Sequence, residues 1–263
     1  MKRILSLALG LCMMLSLAGC ITKTDSAGGS VGQKLYEGTL DSEFSALVLD
    51  IDVGDVTIEP GDGFRVEYGL WHDPVIEEDA GVLTIREKAE SRWWQSFSFG
   101  SGKQAYVKVT VPAGTLLERL NVLCDVGDVK LDSADLGALD ISTDVGDVTV
   151  SSTAVSGAAA LDTDVGNIEC RTLIVGGALK LDTDTGEIRF DGSAASVEAD
   201  TDVGSVSLSL SGEAADWSMT LDTDTGSVKV DGLDQGKRFE STGGDRTLTA
   251  NADVGDVEVT FGG

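Results

Sequence analysis

The chain has 263 residues, with 45 acidic against 19 basic side chains, a formal net charge of −26, and 33 glycines. A charge this negative excludes nucleic acid as a partner and a polybasic contact to anionic lipid, since both need clustered Lys and Arg. A single histidine, and four cysteines without regular spacing, leave little room for a zinc site or a disulfide framework.

At the start, Met1-Lys2-Arg3 precedes an apolar run from Ile4 to Leu17, the charged and apolar parts of an export signal. The run is short of the roughly 20 residues that a membrane span requires. It closes on Leu17-Ala18-Gly19-Cys20, which resembles the bacterial lipobox. The resemblance implies cleavage before Cys20 and lipidation, with palmitate among the acyl groups, at that residue. The competing reading is an ordinary signal peptide that contains a cysteine. Two or more acyl chains hold a protein stably at a membrane. Residues 1–19 are therefore expected to be a lipoprotein signal peptide, and 20–34 a lipidated Cys and flexible tether, small and polar from Ile21 to Ser30. Residues 35–263 are the folded domain, expected on the extracytoplasmic face of a cell membrane. Cleavage removes Lys2 and Arg3 and takes the net charge from −26 to −28.

From there the chain repeats a unit close to L-D-T-D-V-G-D-V-x-V, centred on Gly54, Gly127, Gly146, Gly166, Gly186, Gly204, Gly226 and Gly255. The 73-residue gap from Gly54 to Gly127 has room for three degenerate units, with candidate strands Phe64–Leu70, Val82–Glu87 and Ala105–Val111. The 29-residue gap before Gly255 suggests an insertion around Gln235 to Arg246. Columns five and three before the glycine, and two and four after it, are apolar or Thr, while those between are mostly polar. Period-two alternation means half-buried strands, and Val and Thr suit a pleated surface. One unit cannot bury its inner face alone, but stacked copies can. The expected fold is all-β, a parallel β-solenoid (single-stranded β-helix-like) with about 20 residues per coil. An antiparallel sandwich is the alternative, although it has no need of identical columns.

The units Asp144-Val145-Gly146-Asp147-Val148, and the segment Val109-Thr110-Val111-Pro112-Ala113-Gly114 before Leu120-Asn121-Val122, resemble the putative-adhesin family of bacterial β-strand-repeat (G-D-V repeat) proteins of unknown function. The resemblance covers roughly residues 35–263. It implies a β-solenoid on an exported or envelope protein, and it supplies no catalytic residues.

Two residues before every glycine stands Asp: Asp52, Asp125, Asp144, Asp164, Asp184, Asp202, Asp224 and Asp253. A face needing only solubility would mix Asp with Glu. One reading is that each carboxylate braces the turn at its own glycine by accepting backbone N–H bonds. Another is Ca²⁺ held between coils by Asp144, Asp164, Asp184, Asp202 and Asp224, since Ca²⁺ takes six to eight oxygens. Diffuse cation binding is a third. A second acidic column stands four before the glycine (Asp50, Asp162, Asp182, Asp200, Asp222), and a third stands one after it (Asp55, Asp128, Asp147, Glu187, Asp256).

The only aromatic cluster holds Trp93, Trp94, Phe97 and Phe99. It reads either as a cap over one end of the stack or as a contact loop for a partner. His72 lies in a turn-like Leu70-Trp71-His72-Asp73-Pro74 segment with no placed nucleophile, so it makes no triad. Cys124 and Cys170 fall on inward columns two coils apart, beyond disulfide reach, and are expected as free buried thiols. The chain thus reads as a non-enzymatic, membrane-tethered binding or envelope-interaction module. Its expected partners are the membrane, through the lipid, and an unknown envelope protein or glycan. No cofactor is expected unless Ca²⁺ binds. A Ca²⁺-stabilised structural module is one alternative. A polysaccharide-active β-helix enzyme is another, disfavoured because the acids are spread evenly and Lys130, Arg171, Lys180, Arg189 and Lys229 are scattered.

Overall fold

The computed structural model describes residues 22–23, 35–87 and 104–262. The expected signal peptide, Cys20 and most of the tether lie outside these residues, as do Trp93, Trp94, Phe97 and Phe99.

Alternation becomes strands whose inward side chains are buried. Each unit is two strands meeting at its glycine, and each coil is named here for that glycine. In the Gly146 coil, Leu139–Val145 leads into Val148–Ser151, and Leu139, Ile141, Thr143, Val148 and Val150 are buried. The first strands of all coils join one sheet and the second strands another. Neighbouring coils pair in parallel and like sits on like: Leu120 pairs with Leu139, Leu139 with Ala159, and Ala159 with Leu179. Parallel pairing excludes the antiparallel sandwich. Both sheets line one continuous core running from Leu40 to Val259. No helix among the described residues is long and apolar enough to cross a membrane.

The coils do not stack in chain order. Strand Ala46–Val53 of the Gly54 coil pairs directly with Arg119–Val126 of the Gly127 coil. The described residues between these two coils therefore do not form three further coils. They fold over the outside of the Gly54 coil as a cap. Its strands Arg65–Leu70, Val82–Arg86 and Tyr106–Pro112 coincide closely with the candidate strands, and a fourth, Val75–Asp79, joins them. Val82–Arg86 and Tyr106–Pro112 continue the parallel sheets. Arg65–Leu70, Val75–Asp79 and Tyr36–Leu40 then close them with antiparallel pairs.

The far end repeats this arrangement. The Gly255 coil, Arg246–Val254 with Val257–Phe261, inserts between the Gly204 and Gly226 coils. The extra residues before it form Leu233–Gly236 and Arg238–Ser241, antiparallel edges on the Gly226 coil. Each terminal repeat is thus the penultimate layer, buried beneath a later or earlier part of the chain. Sheet edges are hazards because their backbone groups invite pairing. Here antiparallel strands cover both ends among the described residues.

The glycine column has a steric cause. A β-carbon on Gly186 would overlap the Gly166 carbonyl oxygen, and one on Gly166 would overlap that of Gly146. Backbone N–H groups of these glycines donate to the neighbouring coil on the other side, as from Gly186 to Val203 at 3.0 Å. The buried Thr column closes the turn from inside: Thr163, Thr183, Thr201 and Thr223 donate to Gly146, Gly166, Gly186 and Gly255 carbonyls at 3.1, 3.0, 3.1 and 2.8 Å. Cys124 takes the same place against Gly54. Cys124 and Cys170 are buried free thiols. Burial pushes both thiols up, Cys124 to about 12.

Candidate functional site

Strand alternation sends the residues four and two before each glycine to the outer face of the first sheet. Flanking pairs Thr143–Thr163, Thr163–Thr183 and Thr183–Thr201 place Asp144, Asp164, Asp184 and Asp202 in four successive layers. All four are exposed. Asp224 does not follow Asp202 directly. The inserted Gly255 coil puts Asp253 between them, as the pairs Thr201–Ala252 and Thr223–Ala252 require.

These aspartates do not brace their turns. No hydrogen bond joins the side chains of Asp144, Asp164, Asp184, Asp202 or Asp224 to a described residue, which corrects the turn-bracing expectation at these five positions. The brace lies one residue after the glycine, and it spans coils. Asp55 accepts from the Asp128 amide at 3.1 Å, Asp128 from Asp147 at 3.1 Å, Asp147 from Asn167 at 2.8 Å, and Asn167 from Glu187 at 2.9 Å. A short side chain at that place reaches the next coil's amide, which explains Asp and Asn there.

Behind the exposed column stands the half-buried one, with Asp162 directly against Asp182 and Asp182 against Asp200. Burial raises the Asp162 carboxyl above the ordinary value, and Asp182 and Asp164 add to it, against Lys180. Asp200 is raised by burial as well, opposed by a hydrogen bond from Asn251 and reinforced by Asp182 and Asp253. Carboxylates one strand spacing apart repel by roughly 1 kcal/mol even in bulk water. Asn251 sits where a further Asp would stand, and its amide donates to Asp200 at 3.4 Å and Asp253 at 3.2 Å.

The basic residues lie mostly on the other face. Lys108, Lys130, Arg171 and Arg189 of the second sheet's strands pair with Glu59, Asp128, Glu169 and Glu187. On the first sheet only Lys180, at 2.6 Å from Asp182, and Arg238, at 3.5 Å from Asp222, offset carboxylates through ion pairs among the described residues. The outer face of the first sheet therefore presents two registered carboxylate columns with little compensating charge, able to attract cations or basic groups.

One group was not foreseen. The cap brings His72, in the turn after Arg65–Leu70, against Asp52 and Glu87. His72 Nδ1 lies 3.8 Å from Asp52 Oδ2 and 3.7 Å from Glu87 Oε1. The Glu87 side chain is fully buried and accepts from the amides of Asp52 at 2.8 Å, Val53 at 3.3 Å and His72 at 3.2 Å. Burial raises the Asp52 carboxyl, Glu87 adds to this, and His72 opposes it. Sequence spacing gave no signal for the group, because it forms only when the cap folds back on the Gly54 coil. The aromatic candidates Trp93, Trp94, Phe97 and Phe99, and Cys20, have no described position.

The chain matches the Toastrack DUF4097 family over residues 44–197 and, in an overlapping match, 125–260. The chain belongs to that family. No curated protein matches it. Among solved structures it is similar to one titled a putative adhesin from Bacteroides fragilis, at 16% identity and TM-score 0.46, with 88% of this chain and 100% of that one covered. Another, titled a putative adhesin from Parabacteroides distasonis, has 17% identity and TM-score 0.39, with 87% and 97% covered. A third, titled a putative cell adhesion protein from Clostridium sporogenes, has 12% identity and TM-score 0.37, with 87% and 100% covered.

Proposed function

We propose that this member of the Toastrack DUF4097 family is a non-enzymatic, lipid-anchored extracytoplasmic β-solenoid. Its coils repeat at about 20 residues, as in the pairing of Ala159 with Leu179. In this reading it is an adhesin-like binding or envelope-interaction module. Cys20 carries the anchor, and the partner is an envelope protein or glycan with basic groups. The observation that carries the reading is the poorly compensated outer face of the first sheet, Asp144, Asp164, Asp184 and Asp202 in successive layers with Asp162, Asp182 and Asp200 behind them. A surface spread over several coils suits an extended partner. Trp93, Trp94, Phe97 and Phe99 supply a second contact.

Two measurements test this. Palmitate labelling and fractionation of the parent and Cys20→Ser should show label and membrane association lost together in the variant. Purified envelopes should bind the parent and lose binding to a variant carrying Asn at residues 144, 164, 184 and 202. Equal binding would move the contact away from the acidic face, and equal binding by Trp93→Ala, Trp94→Ala as well would overturn both surfaces.

A second reading, a Ca²⁺-stabilised structural module, is favoured by the raised Asp162 and Asp200 carboxyls, which a cation between coils would relieve. Identical melting temperatures with Ca²⁺ and with chelator would remove it.

A further inference from the structure

The Asp two before the glycine stands in the open in every coil but the first, where Asp52 is half-buried and faces a histidine. We infer that Asp52, His72 and Glu87 form a binding site for a divalent transition metal of the Zn²⁺ class.

The argument starts from an unsatisfied atom. His72 Nδ1 is buried and has no hydrogen-bond partner, and a buried polar atom left so destabilises the fold. The carboxylate oxygens that face it, at 3.7 and 3.8 Å, are too far for an N–H···O bond, which spans roughly 2.7–3.2 Å. A proton on Nδ1 therefore reaches neither. The gap fits a larger cation. All three ligand atoms lie within 4.8 Å of one another, so a point between them is about 2.2–2.4 Å from each, against roughly 2.0–2.2 Å for Zn–N and Zn–O bonds. A closure of a few tenths of an ångström completes the coordination.

The surroundings match a metal's needs. Glu87 is held by three backbone amides, two on Oε2 and one on Oε1, so its orientation is fixed while Oε1 keeps a lone pair toward His72. Two carboxylates beside one imidazole supply the negative charge a divalent ion requires. The nitrogen selects among ions: Ca²⁺ and Mg²⁺ take oxygen, while imidazole suits Zn²⁺ and its first-row neighbours. The ligands come from strand Ala46–Val53, from the turn after Arg65–Leu70 and from the residue after Val82–Arg86. A bound ion would thus tie two segments of the cap to the first coil, and it would stabilise the folded chain by mass action.

The test uses the only histidine of the full chain as a reporter, since Zn²⁺ on the exposed Asp columns leaves its ring unaffected. One equivalent of Zn²⁺ should shift the His72 Nδ1 nitrogen resonance and raise the melting temperature, and Ca²⁺ at the same concentration should not move that resonance. Asp52→Asn, at a half-exposed position that keeps the fold, should weaken the Zn²⁺ response at least tenfold, and Glu87→Gln should abolish it. A resonance unmoved by excess Zn²⁺ would overturn the site. So would an unchanged response in Asp52→Asn, even if Glu87→Gln fails to fold.

Discussion

Gly255 lies on Gly204: a β-carbon on the later glycine would overlap the carbonyl oxygen of the earlier one, and Gly226 lies on Gly255 in the same way. The chain makes the Gly226 coil first, leaves room beneath it, and fills that room with its last strands. The Gly54 coil occupies the matching place at the other end. Both terminal repeats are thereby enclosed, the Gly54 coil by cap strands and the Gly255 coil by the Gly226 coil, which protects the core of a stack that would otherwise end in open sheet.

Glycine is needed on this column for space. Gly186 has no left-handed φ, yet its β-carbon would strike the Gly166 carbonyl. We expect Gly186→Ala to cost about 3 kcal/mol or more, because backbone must move on both sides. Gly63→Ala, with nothing within 4 Å of its β-carbon, should stay within about 0.5 kcal/mol of the parent. Urea titrations of the pair check this, and equal midpoints would refute it.

The two acidic columns near the glycine do different things. Asp147 accepts from the Asn167 backbone at 2.8 Å and its side chain at 3.1 Å, so Asp147→Ala should lose about 1 kcal/mol. Asp164 makes no such bond. Asp164→Ala should leave stability unchanged or raise it by a few tenths of a kcal/mol, by relieving Asp162. Thermal melts at low ionic strength resolve the contrast.

Much of this was legible in the sequence. The inward columns, from Leu49 to Ala250 and from Val56 to Val257, are buried where alternation put them, because in-register stacking makes each column uniform. The order of layers was not legible. Gly226 and Gly255 carry the same motif, and nothing in a repeat says which copy its neighbour is. Which acid column braces the stack was illegible for a related reason. Residues two before and one after a glycine both neighbour the turn in sequence, and only the stacked coils show which side chain reaches the next coil's amide. Glu87 gave no signal at all, being one acid among 45.

Stability should rise on mild acidification. Asp162 and Asp200 have folded carboxyls above the ordinary value of 3.8, so the folded chain binds protons more readily than the unfolded one. Stability then falls as pH rises from that ordinary value through the raised folded values. Asp256 runs the other way. Bonds from Ser227 hold it low, and its contribution is lost as pH falls through that low value. We expect the melting temperature to climb as pH falls through the raised Asp162 and Asp200 values toward the ordinary 3.8, and to drop below it as Asp256 is protonated. A monotonic fall from pH 7 would contradict this.

Thr172 carries a left-handed φ of 54°, a conformation in which a β-branched side chain is a steric outlier. Its side chain is exposed. Thr172→Asn, which tolerates this conformation, should stabilise the chain by about 1 kcal/mol, read as a higher denaturation midpoint with an unchanged slope.

The order of layers is open to direct chemical test. Val203 pairs with Val254, and Val254 with Thr225, while Val203 and Val254 are 50% and 49% exposed. Cysteine pairs at 203 and 254, and at 254 and 225, should form disulfides under mild oxidation, since paired strands bring Cα atoms within bridging range. A pair at 203 and 225, two layers apart at about 9.6 Å, should not. Rapid, complete bridging between 203 and 225, with none between 203 and 254, would mean that the coils follow chain order, and would contradict the inserted terminal coil.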